Sequence, residues 1–303
     1  MKGVGVTFHT SQGDVQAISN VDFEVYMDET VAIMGESGCG KSVLGHAAMR
    51  LLDDVAKVSG SVKYRGNDLY SMDDRSIRGL RGKTIGLIPQ SPSTSFNPVL
   101  KIGHQIRELI EKAGVGSGNR AKDRAIEYLG KVGFSDPFLI YDSYPHRLSG
   151  GMCQRALIAM TLSVEPELVI ADEPTKGLDA LSRKSMLELL HKMASGSSMI
   201  MITHDFKAAM TCKKLSIMYS GEIVESGLAS ELLADPRHPY TKGLIMSQPA
   251  MGMLPIKGRH DATSHNYRGC RFRGRCDAST GICCEHPLLR GPGDGRKVRC
   301  HHA

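Results

Sequence analysis

Tryptophan is absent from the 303 residues, and aromatic side chains make up only 5% of the chain. A surface that stacks unpaired bases needs aromatics interleaved with basic residues. The basic end of this chain offers only Tyr267 and Phe272, which argues against a nucleic-acid reader. No run approaches the roughly 20 apolar residues needed to cross a bilayer. The start, Met1-Lys2-Gly3-Val4-Gly5-Val6, leads straight into a strand-like pattern and lacks the features of a secretory leader. The expectation is a cytosolic protein unless a partner holds it at a membrane. No internal repeat is visible.

What is present suits a large globular domain with a small appendage. The net charge of +6 is uneven. Residues 255–303 hold ten basic side chains, Lys257, Arg259, Arg268, Arg271, Arg273, Arg275, Arg290, Arg296, Lys297 and Arg299, against the acids Asp261, Asp277, Glu285 and Asp294. The rest of the chain therefore balances to zero. A basic tail suits nucleic acid or anionic lipid, or offsets a negatively charged group bound within it. Five of the eight cysteines, Cys270, Cys276, Cys283, Cys284 and Cys300, also fall there. Without a secretion signal, such clustering suggests metal before disulfides.

Alternation predicts strands at Gly3–Phe8 and Asp22–Tyr26 with a turn at 11–14, and a short strand at Ser61–Tyr64. Buried strands are expected at 84–88, 167–171 and 199–203, and a final strand pair at 215–219 and 222–225. Residues 102–160 read as helical, with a flexible break at 114–118. Parallel strands alternating with helices imply an α/β core with an inserted helical region at about 95–160. The domain reading is a core over residues 1–235 and a Cys-rich extension over 236–303.

Gly35-Glu36-Ser37-Gly38-Cys39-Gly40-Lys41-Ser42 fits G-x-x-x-x-G-K-[ST] at every fixed position. The apolar segment Thr30–Met34 precedes it and a helical segment follows, the context this loop requires. Its glycines let backbone N–H groups surround a phosphate at the positive end of a helix. Lys41 reaches the outer phosphates, and the Ser42 hydroxyl suits Mg²⁺. The strand 167–171 ends in Asp172, a candidate for holding Mg²⁺, and Glu173, a candidate for polarising an attacking water. Leu148-Ser149-Gly150-Gly151-Met152-Cys153-Gln154 forms a second anion-binding nest at a helix start. One loop does not need two nests, so the second makes sense on a triphosphate held by another subunit.

With these segments in this order, the chain resembles the nucleotide-binding subunits of ABC transporters over roughly residues 3–245. The resemblance implies a P-loop ATPase fold with an antiparallel β subdomain, and hydrolysis of ATP with Mg²⁺. It makes Leu148, Ser149, Gly150, Gly151 and Gln154 a signature acting across a head-to-tail dimer. Gln90 fits a loop touching Mg²⁺ and the transmembrane partner, Leu178-Asp179 a loop communicating between protomers, and His204 a γ-phosphate sensor. Phe8 is the candidate for stacking on adenine, with His9 the weaker choice. Cys39, inside the loop, is expected to make hydrolysis sensitive to thiol reagents, with MgATP protecting.

Residues 85–92, 94–98, His238-Pro239-Tyr240-Thr241 and the tail from Gly269 to His301 look like the oligopeptide, dipeptide and nickel importers. That resemblance implies a [4Fe-4S] cluster on Cys270, Cys276, Cys283 and Cys300, with arginines around an anionic cluster. Zinc and free thiols or disulfides remain alternatives, and Cys284 is surplus. It further implies two transmembrane permeases, a second ATPase subunit or a second copy, an extracytoplasmic solute-binding protein, and a place on the cytoplasmic face of the membrane. The reading from another class is a soluble ATPase of this type acting on nucleic acid, or an iron-responsive regulator. Cys153, in place of the usual Arg, and Lys176-Gly177 depart from the family pattern.

Overall fold

Residues 1–11, 13–248, 252–258, 268–291 and 295–303 are described by a computed structural model. Arg259, Asp261, Tyr267 and Asp294 lie outside the described residues. Along the chain come strands β1 (Lys2–Thr10), β2 (Gly13–Val21) and β3 (Thr30–Met34), helix α1 (Lys41–Ala48), strands β4 (Ala56–Ser61), β5 (Lys63–Tyr64) and β6 (Asn67–Asp68), and helix α2 (Asp74–Leu80). Strand β7 (Ile85–Ile88) is followed by helices α3 (Pro92–Ser95), α4 (Ile102–Ala113), α5 (Gly118–Lys131), α6 (Pro137–Tyr141) and α7 (Gly150–Leu162). Strand β8 (Leu168–Asp172), helix α8 (Ala180–Met193), strand β9 (Ser198–Thr203) and helix α9 (Phe206–Ala209) come next. Strands β10 (Lys214–Tyr219) and β11 (Glu222–Leu228), helices α10 (Ala229–Ala234) and α11 (Pro239–Met246), and strand β12 (Lys297–Val298) complete the order.

The chain forms two compact units. One comprises Met1–Glu24, Thr30–Ser71 and Ile202–Ala303, the other Val25–Glu29 and Met72–Met201.

In the first unit β1 lies between β2 and β4, antiparallel to both. Val4 faces Val21 and Val6 faces Ile18 in the register, and all four side chains are buried. The strand expected at 22–26 is not there: its place as partner of β1 is taken by β2, at 13–21. Alternation in Asp22–Tyr26 misled because other bonds hold this stretch. Asp22 accepts from Gly3 N at 2.7 Å, and Phe23 N donates to Met1 O at 3.1 Å. The run Val31–Met34 in β3 is buried throughout and lies parallel to β10, as apolar strands covered on both faces do. Beyond β10, β11 and then β12 continue antiparallel, so the sheet is mixed.

Four of the tail's arginines are tied to partners elsewhere in the fold, whereas Arg273 lines the pocket of thiols. Arg271 pairs with buried Glu222 at 3.2 Å, Arg275 with Glu36 at 2.7 Å, and Arg296 with fully buried Glu225 at 3.1 Å. Arg299 Nε donates to Ile223 O at 3.0 Å. A buried carboxylate must be paired, and these guanidiniums supply the partner.

In the second unit β7 runs parallel to β8, Ile85 opposite Leu168 and Ile88 opposite Ala171, and β9 flanks β8 on its other side. Helix α4 buries Ile102, Ile106 and Ile110 on one face, and α5 buries Ala121, Ala125 and Leu129. Fully burying each isoleucine is worth about 1.5–3 kcal/mol. Gly114 ends α4 in the left-handed region at φ 73°, which glycine adopts without strain. The opposite faces carry charge pairs at helical spacing, Glu108 with Lys112 and Glu127 with Lys131.

Candidate functional site

The first unit holds the phosphate-loop residues Gly35–Ser42, with Phe8 and His204. Strand β3 ends at Met34 and α1 begins at Lys41, so strand, loop and helix follow as the motif demands. Gly35 has no room for a side chain, since a Cβ there would lie 2.1 Å from Met218 O. Gly40 takes φ 103° at the N-cap of α1, and its Cβ would meet Ala17 O at 2.6 Å. Lys41 is buried, and its ammonium donates to Gly35 O at 2.8 Å and Glu36 O at 2.9 Å. Ser37 and Gly38 form the exposed rim, and Ser42 is half-buried in the first turn.

Cys39 points inward at 1% exposure, 3.9 Å from the Lys41 ammonium. Burial pushes its thiol above the ordinary range. A protonated, enclosed thiol is a poor target, so the expected reactivity of Cys39 toward thiol reagents does not follow from the fold. His204 is exposed, directly after buried Thr203 at the end of β9. Phe8 is half-buried on β1, opposite Val15 and Ala56, and His9 bonds Asp14 at 2.7 Å.

The second unit carries Gln90, the Ser-Gly-Gly segment, Asp172, Glu173 and Leu178-Asp179. Gln90 is half-buried, two residues past β7. Asp172 ends β8 at 3% exposure, and Glu173 follows at 7% with φ 48°. A non-glycine residue in that region is uncommon, and such backbone conformations cluster at functional positions. Ser149 is the N-cap of α7, and its hydroxyl accepts from Met152 N at 3.4 Å. Ser149 and Gly150 are exposed, while Gln154 faces inward at 5% exposure. The Asp179 carboxylate caps α8 by accepting from Leu181 N and Ser182 N, and its bonds with Ser182 hold its pKa below the usual carboxylate range.

Cys270, Cys276, Cys283 and Cys300 line one pocket, closed by His238, Pro239, Phe272, Arg273, His301 and His302. Burial raises the Cys270 thiol to about 11 and also raises Cys276. His302 Nε2 lies 3.7 Å from Cys283 Sγ. Among the described residues, no three His, Cys, Asp or Glu side chains are set as ligands of a metal ion. Cys284 is exposed and does not line the pocket.

Two residues that bear on the loop went unread in the sequence. Tyr240 Oη accepts from Glu36 N at 2.9 Å, and Arg275 grips the Glu36 carboxylate at 2.7 and 3.0 Å. Tyr240 lies in a segment read as a subfamily mark and Arg275 among the basic residues of the tail, each more than 200 residues from Glu36. Their signal, an arginine and a tyrosine each flanked by a recognised motif, says nothing about a partner.

A strand, glycine loop and helix carrying the buried Lys41, with acids closing a parallel strand, define a P-loop nucleoside triphosphatase. The ABC transporter sequence profile matches residues 18–176, and the profile of the oligopeptide/dipeptide transporter C-terminal region matches 224–283. The oligopeptide transport ATP-binding protein OppD of Bacillus subtilis is 42% identical, over 83% of this chain and 72% of that protein. The dipeptide transport ATP-binding protein DppD of Escherichia coli is 36% identical over 99% of this chain and 94% of that one. A dimeric ATP-binding cassette in a post-hydrolysis state, bound to ADP and Pi, superposes with TM-score 0.68 at 27% identity, covering 75% of this chain and 97% of that chain. The chain belongs to the ABC transporter family, as an ATP-binding subunit that hydrolyses ATP. Among the described residues no helix is long and apolar enough to cross a membrane.

Proposed function

We propose that the chain drives a peptide importer, coupling ATP binding and hydrolysis to passage of di- or oligopeptides through partner permeases. One observation carries this reading: a phosphate loop and an oligopeptide/dipeptide C-terminal region occur in the same chain. Relatives named for oligopeptide and dipeptide transport favour peptides over nickel. Residues 1–235 act as the motor and 236–303 as the extension. The motor works at the cytoplasmic membrane face with two permeases, an extracytoplasmic solute-binding protein, and a second ATPase subunit or another copy of itself. The reading as a nucleic-acid-directed ATPase loses ground because Arg271, Arg275, Arg296 and Arg299 are committed to internal partners.

In this proposal the loop N–H groups and Lys41 hold the β- and γ-phosphates, and Phe8 stacks on the adenine. Ser42, Gln90 and Asp172 offer hydroxyl, amide and carboxylate oxygens, a donor set that suits Mg²⁺. The ion supplies neutralisation of charge on the transferring phosphoryl group. Glu173 orients and polarises the attacking water, and His204 senses the γ-phosphate. Leu148, Ser149, Gly150, Gly151 and Gln154 of one subunit close on the triphosphate of the other, and Leu178-Asp179 reports closure between them. The pocket of four thiols supports a [4Fe-4S] cluster on Cys270, Cys276, Cys283 and Cys300 as the staple of the extension. Iron and acid-labile sulfide analysis of anaerobically purified protein tests that part, four of each per chain being expected and zinc or no metal contradicting it. The function itself is tested with the cognate permeases in vesicles. Peptide-loaded binding protein should stimulate hydrolysis, and no response to any peptide, in a complex that hydrolyses ATP, would overturn the peptide assignment.

A further inference from the structure

Glu36 is held from outside the phosphate loop at two points. Its N–H donates to Tyr240 Oη at 2.9 Å, and the carbonyl of the same peptide unit, Gly35 O, accepts from the Lys41 ammonium at 2.8 Å. One peptide plane is thus pinned between Tyr240 and the phosphate-binding lysine. The Glu36 carboxylate meets Arg275 in a two-pronged pair at 2.7 and 3.0 Å, geometry that fixes orientation as well as charge. Arg275 is itself immobilised: Nε donates to Lys257 O at 2.8 Å, and the guanidinium lies 5.7 Å from the Tyr219 ring centroid. Its side chain is 9% exposed and that of Glu36 26%, so solvent screens the pair little. Tyr219, Tyr240 and Phe272 pack at centroid separations of 4.6 to 5.4 Å, which leaves the Tyr240 hydroxyl little freedom.

We infer that Tyr240 and Arg275 are positioning residues of the phosphate loop, so that nucleotide affinity depends on the Cys-rich extension that carries Arg275. The inference rests on the reading of Gly35–Ser42 as the phosphate site. Two effects add. The anchors fix the peptide that orients Lys41, and Arg275 neutralises a carboxylate that would otherwise confront a polyanion from within its own loop.

The test is equilibrium binding of MgATP by the full chain, with turnover measured in parallel. Arg275→Ala should weaken binding about tenfold, the scale of one charge-assisted pair, with a smaller change in kcat. Adding Glu36→Gln to Arg275→Ala should restore most of the affinity, because the uncompensated charge is gone. Tyr240→Phe, which keeps the ring and removes the acceptor, should weaken binding several-fold. If Arg275→Ala fails to fold, Arg275→Gln, which likewise leaves the Glu36 charge uncompensated, and Tyr240→Phe carry the test through the same binding measurement, each with weaker binding expected. Unchanged affinity in these variants, or an Arg275→Ala loss equally large with Glu36→Gln present, overturns the inference. Lys41→Ala is the control for the underlying reading: if it binds MgATP as the wild type does, the phosphate-site assignment fails instead.

Discussion

The Gly35 carbonyl accepts the Lys41 ammonium at 2.8 Å while the Gly35 Cα faces the Met218 carbonyl with no room for a methyl group. The first glycine therefore both orients the lysine and lets the loop lie against β10. Gly35→Ala puts a Cβ 2.1 Å from Met218 O and 2.8 Å from Cys39 Sγ. The backbone must shift, at a cost of about 1–3 kcal/mol in stability. Thermal denaturation and MgATP binding should fall together. A variant as stable and as tight-binding as the wild type would contradict this packing.

Thiol accessibility separates the cysteines. Cys39, Cys153 and Cys212 are buried, and burial raises all three, Cys212 to about 12. Cys284 is exposed. Brief treatment of the native protein with iodoacetamide should label Cys284 first, and Cys39 only after denaturation, as read by peptide mass spectrometry. Rapid loss of hydrolysis with labelling at Cys39 would restore the reading that its place in the loop first suggested.

Glu225 accepts from Arg237 N, His238 N and Arg296, and it has no exposed surface. Removing one partner leaves a buried charge unpaired. Arg296→Ala should therefore destabilise the protein by about 3–5 kcal/mol, measured by urea denaturation. A loss under 1 kcal/mol would show that the pair does not secure β12 and α11.

His238 is 1% exposed, and its Nδ1 accepts from Tyr240 N at 3.0 Å, so the fold requires the neutral ring. Burial depresses its pKa from 6.5 to about 4. Between those values the unfolded chain binds the proton and the folded chain does not, so stability rises with pH. The contribution is complete above pH 6.5, declines as pH falls toward 4, and amounts to on the order of 3 kcal/mol. His238→Asn keeps a capping acceptor and removes the titration. Its denaturation midpoint should fall less than that of the wild type between pH 7 and 4.5, and parallel curves would contradict the assignment.

The sequence made the chemistry more legible than the frame. Motifs such as Gly35–Ser42 are short and local, because a phosphate cradle needs consecutive backbone groups and therefore consecutive residues. The buried strands β3, β8 and β9 were readable as apolar runs for a similar reason. The error at Asp22–Tyr26 came from alternation, which any half-exposed segment can show, whereas the partner of β1 is chosen by the hairpin closing from Thr10 to Gly13. The individual partners of the tail's arginines were not legible because charge counts carry no direction. Only the fold shows Arg275 reaching Glu36 and Arg296 reaching Glu225. Tyr240 was invisible as a loop anchor because its hydrogen bond spans 204 residues.

The most direct test of the account is Glu173→Gln, assayed for MgATP binding and steady-state hydrolysis on the same preparation. The expected result is nucleotide bound as tightly as by the wild type, with turnover reduced about 100-fold or more, the scale of a lost general base. Turnover equal to the wild type, with binding intact, would remove Glu173 from the chemistry and contradict the account of how this chain hydrolyses ATP.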